Sequence, residues 1–391
     1  MRCLIFFLAT AAALAQSGPE TRISRIKENL RGVSVVSQTV AWASGTHGSY
    51  LRTTDGRIWI PDYVPGAEAL DFRGVVAFSA VEAFLMSSGP GDQSRIYHTD
   101  DAGRHWQLQF TNTNPKGFFD SMIFWDRTHG IVLGDPIPDE TGALKFELLT
   151  TDDGKTWTPI PPGQLPPALE GEGAFAASNS CIAILKTPGI QNPVVPGEAR
   201  GPGYTGNQQT FESAAPTAEA GASSFDPNIW FATGGKVARV FHSPDRGHTW
   251  EVFETPITHG PESAGIFSIA FRDATHGVIA GGDYKLPEQD GPNLAFTDDG
   301  GKTWTLSKIF PQSYYSAVAY EHNAKHSNNK GRIRERIFLV GLKFVYDFRP
   351  PKNPTRISAK KSADSQFNAV SPYPGGGALV VGPKGVIINV P

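Results

Sequence analysis

Apolar positions along this chain come in short runs, each opened by a small or polar residue and closed by a turn. Seven runs share one form: Gly32-Val33-Ser34-Val35, Gly74-Val75-Val76-Ala77, Ser121-Met122-Ile123-Phe124, Ala174-Phe175-Ala176-Ala177, Ser268-Ile269-Ala270-Phe271, Ser316-Ala317-Val318-Ala319 and Asn368-Ala369-Val370. Most are followed, after a turn, by a second apolar run ending in Gly, at residues 42–45, 130–134, 277–281, 337–341 and 378–382. Runs this short, bounded by turn formers, predict strands rather than helices.

The third strands lead into a repeated turn. It reads Thr99-x-Asp101-x-Gly103-x-x-Trp106, then Thr150-x-Asp152-x-Gly154-x-Thr156-Trp157, Ser243-x-Asp245-x-Gly247-x-Thr249-Trp250 and Thr297-x-Asp299-x-Gly301-x-Thr303-Trp304. A fifth copy, with Asp55, Gly56 and Trp59, is one residue tighter. The carboxylate accepts amides within the turn, and glycine takes a backbone conformation that other residues resist. The tryptophan leads the next strand and buries a large ring.

Trp59 and Trp106 stand 47 residues apart, Trp106 and Trp157 51, and Trp250 and Trp304 54. Trp157 and Trp250 are separated by 93, one period plus an insertion. Periods of this length with several strands each are those of propeller blades. The predicted fold is all-β: one seven-bladed β-propeller of four-stranded antiparallel blades spanning residues 16–391. Blades six and seven lack the Asp turn. The last segment holds only three strands, so residues 22–27 are expected to supply its fourth by pairing near residues 386–390. That closes the ring and removes an exposed edge.

Composition changes this picture little. Glycine (42) and proline (31) are abundant and only 19% of residues are charged, which suits many turns. A net charge of −3 with scattered Lys and Arg gives no footprint for nucleic acid. Arg2, the apolar stretch 4–14 and Ala13-Leu14-Ala15 form a secretory signal over residues 1–15, too short for a permanent span. The expected mature protein is therefore periplasmic or extracellular, without a membrane span, and monomeric. Its single thiol, Cys181, has no internal disulfide partner, and Cys3 precedes the apolar stretch rather than marking a lipid anchor. Residues 187–228, rich in Pro, Gly, Ala and Ser, have too little to bury and read as an excursion from blade four. Residues 321–330 form a smaller one in blade six.

Several motifs dissolve on inspection. Residues 201–206 match G-x-G-x-x-G and residues 171–176 its alanine variant, but neither sits between a strand and a helix. There is no H-E-x-x-H, no paired Cys/His set and no G-x-S-x-G elbow. His47, His129 and His276 each stand in Thr-His-Gly and read as structural residues at the same turn of three blades. The Asp-Asp pairs lack the calcium-loop ladder. Neither a metal nor a cofactor is expected.

Chemistry is better sought at the axis. The positions just before each innermost strand read Arg31, Arg73, Asp120, Gly173, Phe267, Tyr315 and Phe367, with Glu172 one residue earlier in blade four. Loops after the second strands add Asp135 and Asp283. Propeller ligands bind where such residues converge. Arg31, Arg73, Phe267, Tyr315 and Phe367 are binding candidates; Glu172, Asp120, Asp135 and Asp283 could supply the acid and base of a glycosidase. Arg–carboxylate pairs that merely hold blades together would use the same residue types.

The repeated S/T-x-D-x-G-x-T-W resembles the Asp-box of the sialidase-like (BNR) propeller superfamily. More narrowly, the chain is similar to bacterial relatives of the photosystem II stability/assembly factor family. Besides the Asp turns, the resemblance rests on Trp42-Ala43-Ser44-Gly45, Asp71-Phe72-Arg73, Phe118-Phe119-Asp120, residues 171–178, Gly265-Ile266-Phe267-Ser268 and Gly382-Pro383-Lys384-Gly385. It covers residues 22–391 except the insertion. It implies an exported seven-bladed scaffold that binds a protein partner or assembly intermediate, with the Asp turns structural. Members of this branch are often labelled oxidoreductase, yet no flavin, nicotinamide, haem or copper motif appears here. The Phe/Tyr-Arg-Ile-Pro sequence of true sialidases is absent, leaving a glycan-cleaving enzyme as the alternative.

Overall fold

The computed structural model describes residues 19–161, 165–185, 225–308, 313–321, 336–341, 344–348, 355–357 and 366–391. The expected leader (1–15) lies outside them, as do most of the 187–228 insertion and all but Glu321 of the 321–330 excursion.

Seven antiparallel sheets follow one another along the chain. Blade one is Leu30–Val35, Ala41–Gly45, Ser49–Thr53 and Ile60–Tyr63. Blade two is Phe72–Ala77, Ala83–Ser87, Arg95–Thr99 and Gln107–Thr111. Blade three is Phe119–Phe124, Gly130–Pro138, Leu144–Thr151 and Thr158–Pro159. Blade four is Ile182–Ile184, Ile229–Ala232, Arg239–Ser243 and Glu251–Glu254. Blade five is Ala264–Phe271, Gly277–Asp283, Leu294–Thr297 and Thr305–Leu306. Blade six is Tyr315–Tyr320, Ile337–Gly341, Val345–Phe348 and Thr355–Ile357. Blade seven is Ala369–Pro372, Ala378–Gly382, Val386–Val390 and, from the other end of the chain, Glu20–Arg22.

The first strand of each blade touches the first strand of the next, and that of blade seven returns to blade one. The inner strands thus ring a central axis. The second strands of blades one, two, four, six and seven are buried along their whole length, as their unbroken apolar runs require, whereas outer strands such as Ile60–Tyr63 are largely exposed. Seven clusters of buried apolar side chains fill the seven interfaces between neighbouring blades. No helix among the described residues is long and apolar enough to cross a membrane.

Four expectations need correction, three of them in where strands and histidines fall and the fourth in an Asp turn. The closing strand is Glu20–Arg22, paired with Ile387–Asn389, and not residues 22–27. Beyond Arg22 the alternation fails as strand: Ile23 is 73% exposed, and Arg25 takes a left-handed φ of 57° that breaks an extended run. The inner strand of blade four is Ile182–Ile184, not residues 174–177. Finally, His47 lies between the second and third strands of its blade, whereas His129 and His276 lie between the first and second. Those two share one device: Asp126 and Asp273 each accept the amides two and three residues on and hold the imidazole Nδ1.

The Asp turns come in two lengths. In blades two, four and five the glycine amide donates to the first hydroxyl (Gly103 to Thr99, Gly247 to Ser243, Gly301 to Thr297, at 3.0, 2.7 and 3.0 Å). Asp101, Asp245 and Asp299 then accept the amides of residues 105, 249 and 303. Between Asp and Gly stands an extra residue, Ala102, Arg246 or Gly300, with φ of 68°, 61° and 81°. In blades one and three that residue is missing. The turn carboxylate of blade three is consequently Asp153, not Asp152. Its Oδ1 accepts Lys155 and Thr156, both at 2.7 Å, and Gly154 closes on Thr151. Asp55 with Thr53 and Gly56 does the same in blade one. These donors hold Asp153 well below the usual carboxylate range, and Asp101 down to about 2. Asp153→Ala is therefore expected to lower the melting temperature while Asp152→Ala leaves it unchanged, a contrast that two thermal scans decide.

The tryptophans pack as expected. Trp106 lies edge-on to Tyr50 and Trp42 of blade one, Trp157 to Phe124, Trp250 to Phe231 and Trp304 to Phe271.

Candidate ligand face at the channel mouth

Five inner strands carry a β-bulge near their start, at Arg31, Arg73, Asp120, Phe267 and Ser316. A bulged residue is left out of the ladder, so its side chain is re-aimed relative to its neighbours. Two binding candidates are displaced, and in blade six the bulge at Ser316 is the reason. Tyr315 pairs with Gly341 and is fully buried, and Phe367 packs with Ala317, Phe338 and Val380. Both belong to interblade core; the corresponding axial residue of blade six is Ser316. In blade seven the neighbouring Asn368 instead reaches blade one, donating to Asn29 Oδ1 and the Leu30 carbonyl. A one-residue shift exchanges faces.

Blade four departs furthest. Glu172 and Gly173 form a short strand against Gly234–Gly235, and the chain then crosses the axis before reaching Ile182. Phe175 stacks on Phe267 of blade five at 3.9 Å between centroids. The Ala176 carbonyl accepts from Arg73 of blade two (3.3 Å), and Ser178 donates to the Ser316 carbonyl of blade six (2.9 Å). Asn179 bonds both backbone groups of Met122 in blade three (2.7 and 3.0 Å). One segment, residues 174–180, thus touches four other blades and plugs the ring. Its sequence looks like a strand, but its bonding groups are used across the axis.

On one side of the plug two guanidiniums converge on one carboxylate. Arg73 Nε lies 2.8 Å and Arg31 Nε 3.7 Å from Asp71 Oδ2, all three side chains partly exposed. Arg73 also lies over the Phe118 ring. Burial and the neighbouring Arg73 charge pull the Arg31 pKa down. Beside them, Phe267 is covered edge-on by Tyr314 and Tyr284, and Tyr284 remains 48% exposed. The arrangement offers a carboxylate one uncompensated positive charge next to aromatic surface. Asp71, Phe118, Tyr284 and Tyr314 are not among the site candidates read from the sequence, although Asp71 and Phe118 stand in motifs that carry the resemblance. The spacing Asp71-x-Arg73 was the signal available for the first of them.

The carboxylate candidates do not assemble as an acid–base pair open to a sugar. Glu172 is buried and fully engaged: Oε1 takes Arg239 Nε (3.0 Å) and the Thr233 hydroxyl (2.7 Å), and Oε2 takes Arg239 Nη2 (2.5 Å) and the Leu169 amide (2.8 Å). Asp120 is 1% exposed, and burial together with the Asp135 charge raises its pKa well above the ordinary range. Asp135, in a bulge of its own strand, accepts the Ala174 amide at 2.9 Å and is pushed up to about 6 by burial. Asp283, half-buried at the end of its strand, accepts the Lys285 amide at 2.8 Å. No group of three His, Cys, Asp or Glu side chains among the described residues is placed to hold a metal.

No family model and no curated protein matches the chain. Among solved structures it is similar to YCF48 bound to D1 peptide, at 14% identity and a TM-score of 0.59, over 97% of this chain and 98% of that one. It is also similar to a catalytically inactive virginiamycin B lyase from Staphylococcus aureus with quinupristin, at 10% identity and 0.58, over 95% and 98%. U3-55K matches at 11% identity and 0.58, over 96% and 99%. At such identities the likeness shows the propeller fold alone.

Proposed function

We propose that this chain is an exported, non-catalytic propeller of the Asp-box kind that binds a protein partner or assembly intermediate at the channel mouth, in the manner of an assembly-factor scaffold. The observation that carries the reading is the pair Arg31 and Arg73 sharing the single carboxylate Asp71, with Phe118 and Tyr284 alongside. A charge-assisted, bidentate arginine contact suits a peptide carboxylate, and the exposed ring suits an adjacent apolar side chain. That a ring of the same architecture, YCF48, is found bound to D1 peptide supports a peptide ligand in preference to a glycan.

The test is capture from periplasmic extract by residues 16–391, followed by affinity measurement for the retained protein. Arg31→Glu and Arg73→Glu are each expected to weaken binding about tenfold or more, the first with melting unchanged and the second with some loss of stability because Arg73 also holds the Ala176 carbonyl. Equal capture by both variants would remove the mouth as the binding face. Turnover of aryl glycosides or sialosides by the purified protein would replace this reading with the enzymatic one.

A further inference from the structure

The plug is tied to blade three through a carboxyl group that the ligand face does not use, and two more carboxyl groups lie on the strands beside it. Asp135 Oδ1 accepts the amide of Ala174, where the plug begins. On the strand inward of it, Asp120 has its Oδ2 buried and without a hydrogen-bond partner. On the strand outward, Glu147 Oε2 accepts Asn112 Nδ2 at 2.7 Å. The other titratable and charged groups packed against these are Arg73 from blade two, Cys181 just after the plug, and Glu172, whose charge is met by Arg239. One fully buried carboxyl group, two partly buried ones and one nearby guanidinium therefore stand on adjacent strands.

We propose that residues 174–180 form a proton-sensitive plug, shut while Asp120 and Asp135 together carry at most one negative charge and released when both ionise. Burial raises the proton affinity of Asp120, Asp135 and Glu147, and the Asp135 charge raises that of Asp120 further; the Ala174 amide opposes the rise at Asp135, and Asn112 that at Glu147, without cancelling it. Opening would hydrate Asp120 and Asp135 and return them towards the ordinary value of about 4. Protons accordingly bind the shut state more tightly, so acid favours closure and rising pH favours opening. Each proton released tilts the balance by about tenfold per pH unit. The Asp135 contribution runs from about pH 4 to about 6, and the Asp120 contribution extends higher. Release would also free Arg73 from the Ala176 carbonyl and uncover Phe267, so the same event would remodel the channel mouth.

Hydrogen exchange of the full chain between pH 5 and 8, read by mass spectrometry and corrected for intrinsic exchange, tests this. Protection of peptides spanning 174–180 should fall by about tenfold or more across that range, while peptides spanning 378–382 stay constant. In an Asp120→Asn/Asp135→Asn double variant, which keeps shape and acceptor oxygens, the slope should vanish. A flat profile in the wild-type chain, or an unchanged slope in the variant, overturns the proposal. Should the double variant fail to fold, the wild-type profile still decides, with Asp120→Asn alone as the comparison.

Discussion

Arg239→Ala will cost about 3–5 kcal/mol, a large share of what a domain has to lose. The reason is asymmetry. Glu172 has no exposed side-chain surface, and the guanidinium supplies two of its four hydrogen bonds. Removing Arg239 strands a carboxylate in the interior and also leaves the Pro167 carbonyl without its donor. Glu172→Ala should cost a similar amount for the mirror-image reason. The double change Glu172→Leu/Arg239→Met should recover most of the loss, since a buried pair replaced by apolar groups is often neutral. Denaturant unfolding of the four proteins completes the cycle. Additive losses in the double variant would mean that the two residues act separately.

Removing the first 26 residues will destabilise the ring by an amount on the order of 5 kcal/mol, from lost strand pairing and the lost burial of Ile26. Glu20–Arg22 completes blade seven, and Ile26 is buried with Leu30, Trp59, Tyr373 and Ile387 where blades seven and one meet. Without them Val386–Val390 becomes an open edge, a template for pairing with other chains. A chain beginning at Lys27 should melt at lower temperature and aggregate on heating. Unchanged melting and solubility would show that the seam contributes nothing.

The number of blades was legible because spacing survives when side chains change. Six of the seven inner runs and all five second runs that end in Gly coincide with strands. Period alone could not see the bulges, and the one at Ser316 shifts face by one residue, which is why Tyr315 is core; Phe367 stands just ahead of its strand and is core without a bulge. The run 174–177 looks like its six counterparts, and no local feature says that its hydrogen bonds will be made to other blades. Glu172 was legible as important but not in kind. Its partner Arg239 lies 67 residues away and across the insertion. At the Asp152-Asp153 dipeptide the pattern selects Thr150 and Asp152, and only the hydrogen bonds show that the shorter register, Thr151 with Asp153, is the one used.

The two turn lengths bear on how such a chain diverges. In both, the glycine amide ends on the same hydroxyl and the carboxylate on the amides ahead of the tryptophan, so the outer strand is launched alike. The additional residue of the longer form occupies a left-handed bend and is absorbed there. A single-codon insertion or deletion at this point would therefore leave the blade in place, and the cost of the longer form falls when that residue is glycine, as at Gly300. Residue count per blade is then free to drift while the closure of the turn is held, and a sequence can lose its countable rhythm well before it loses its ring.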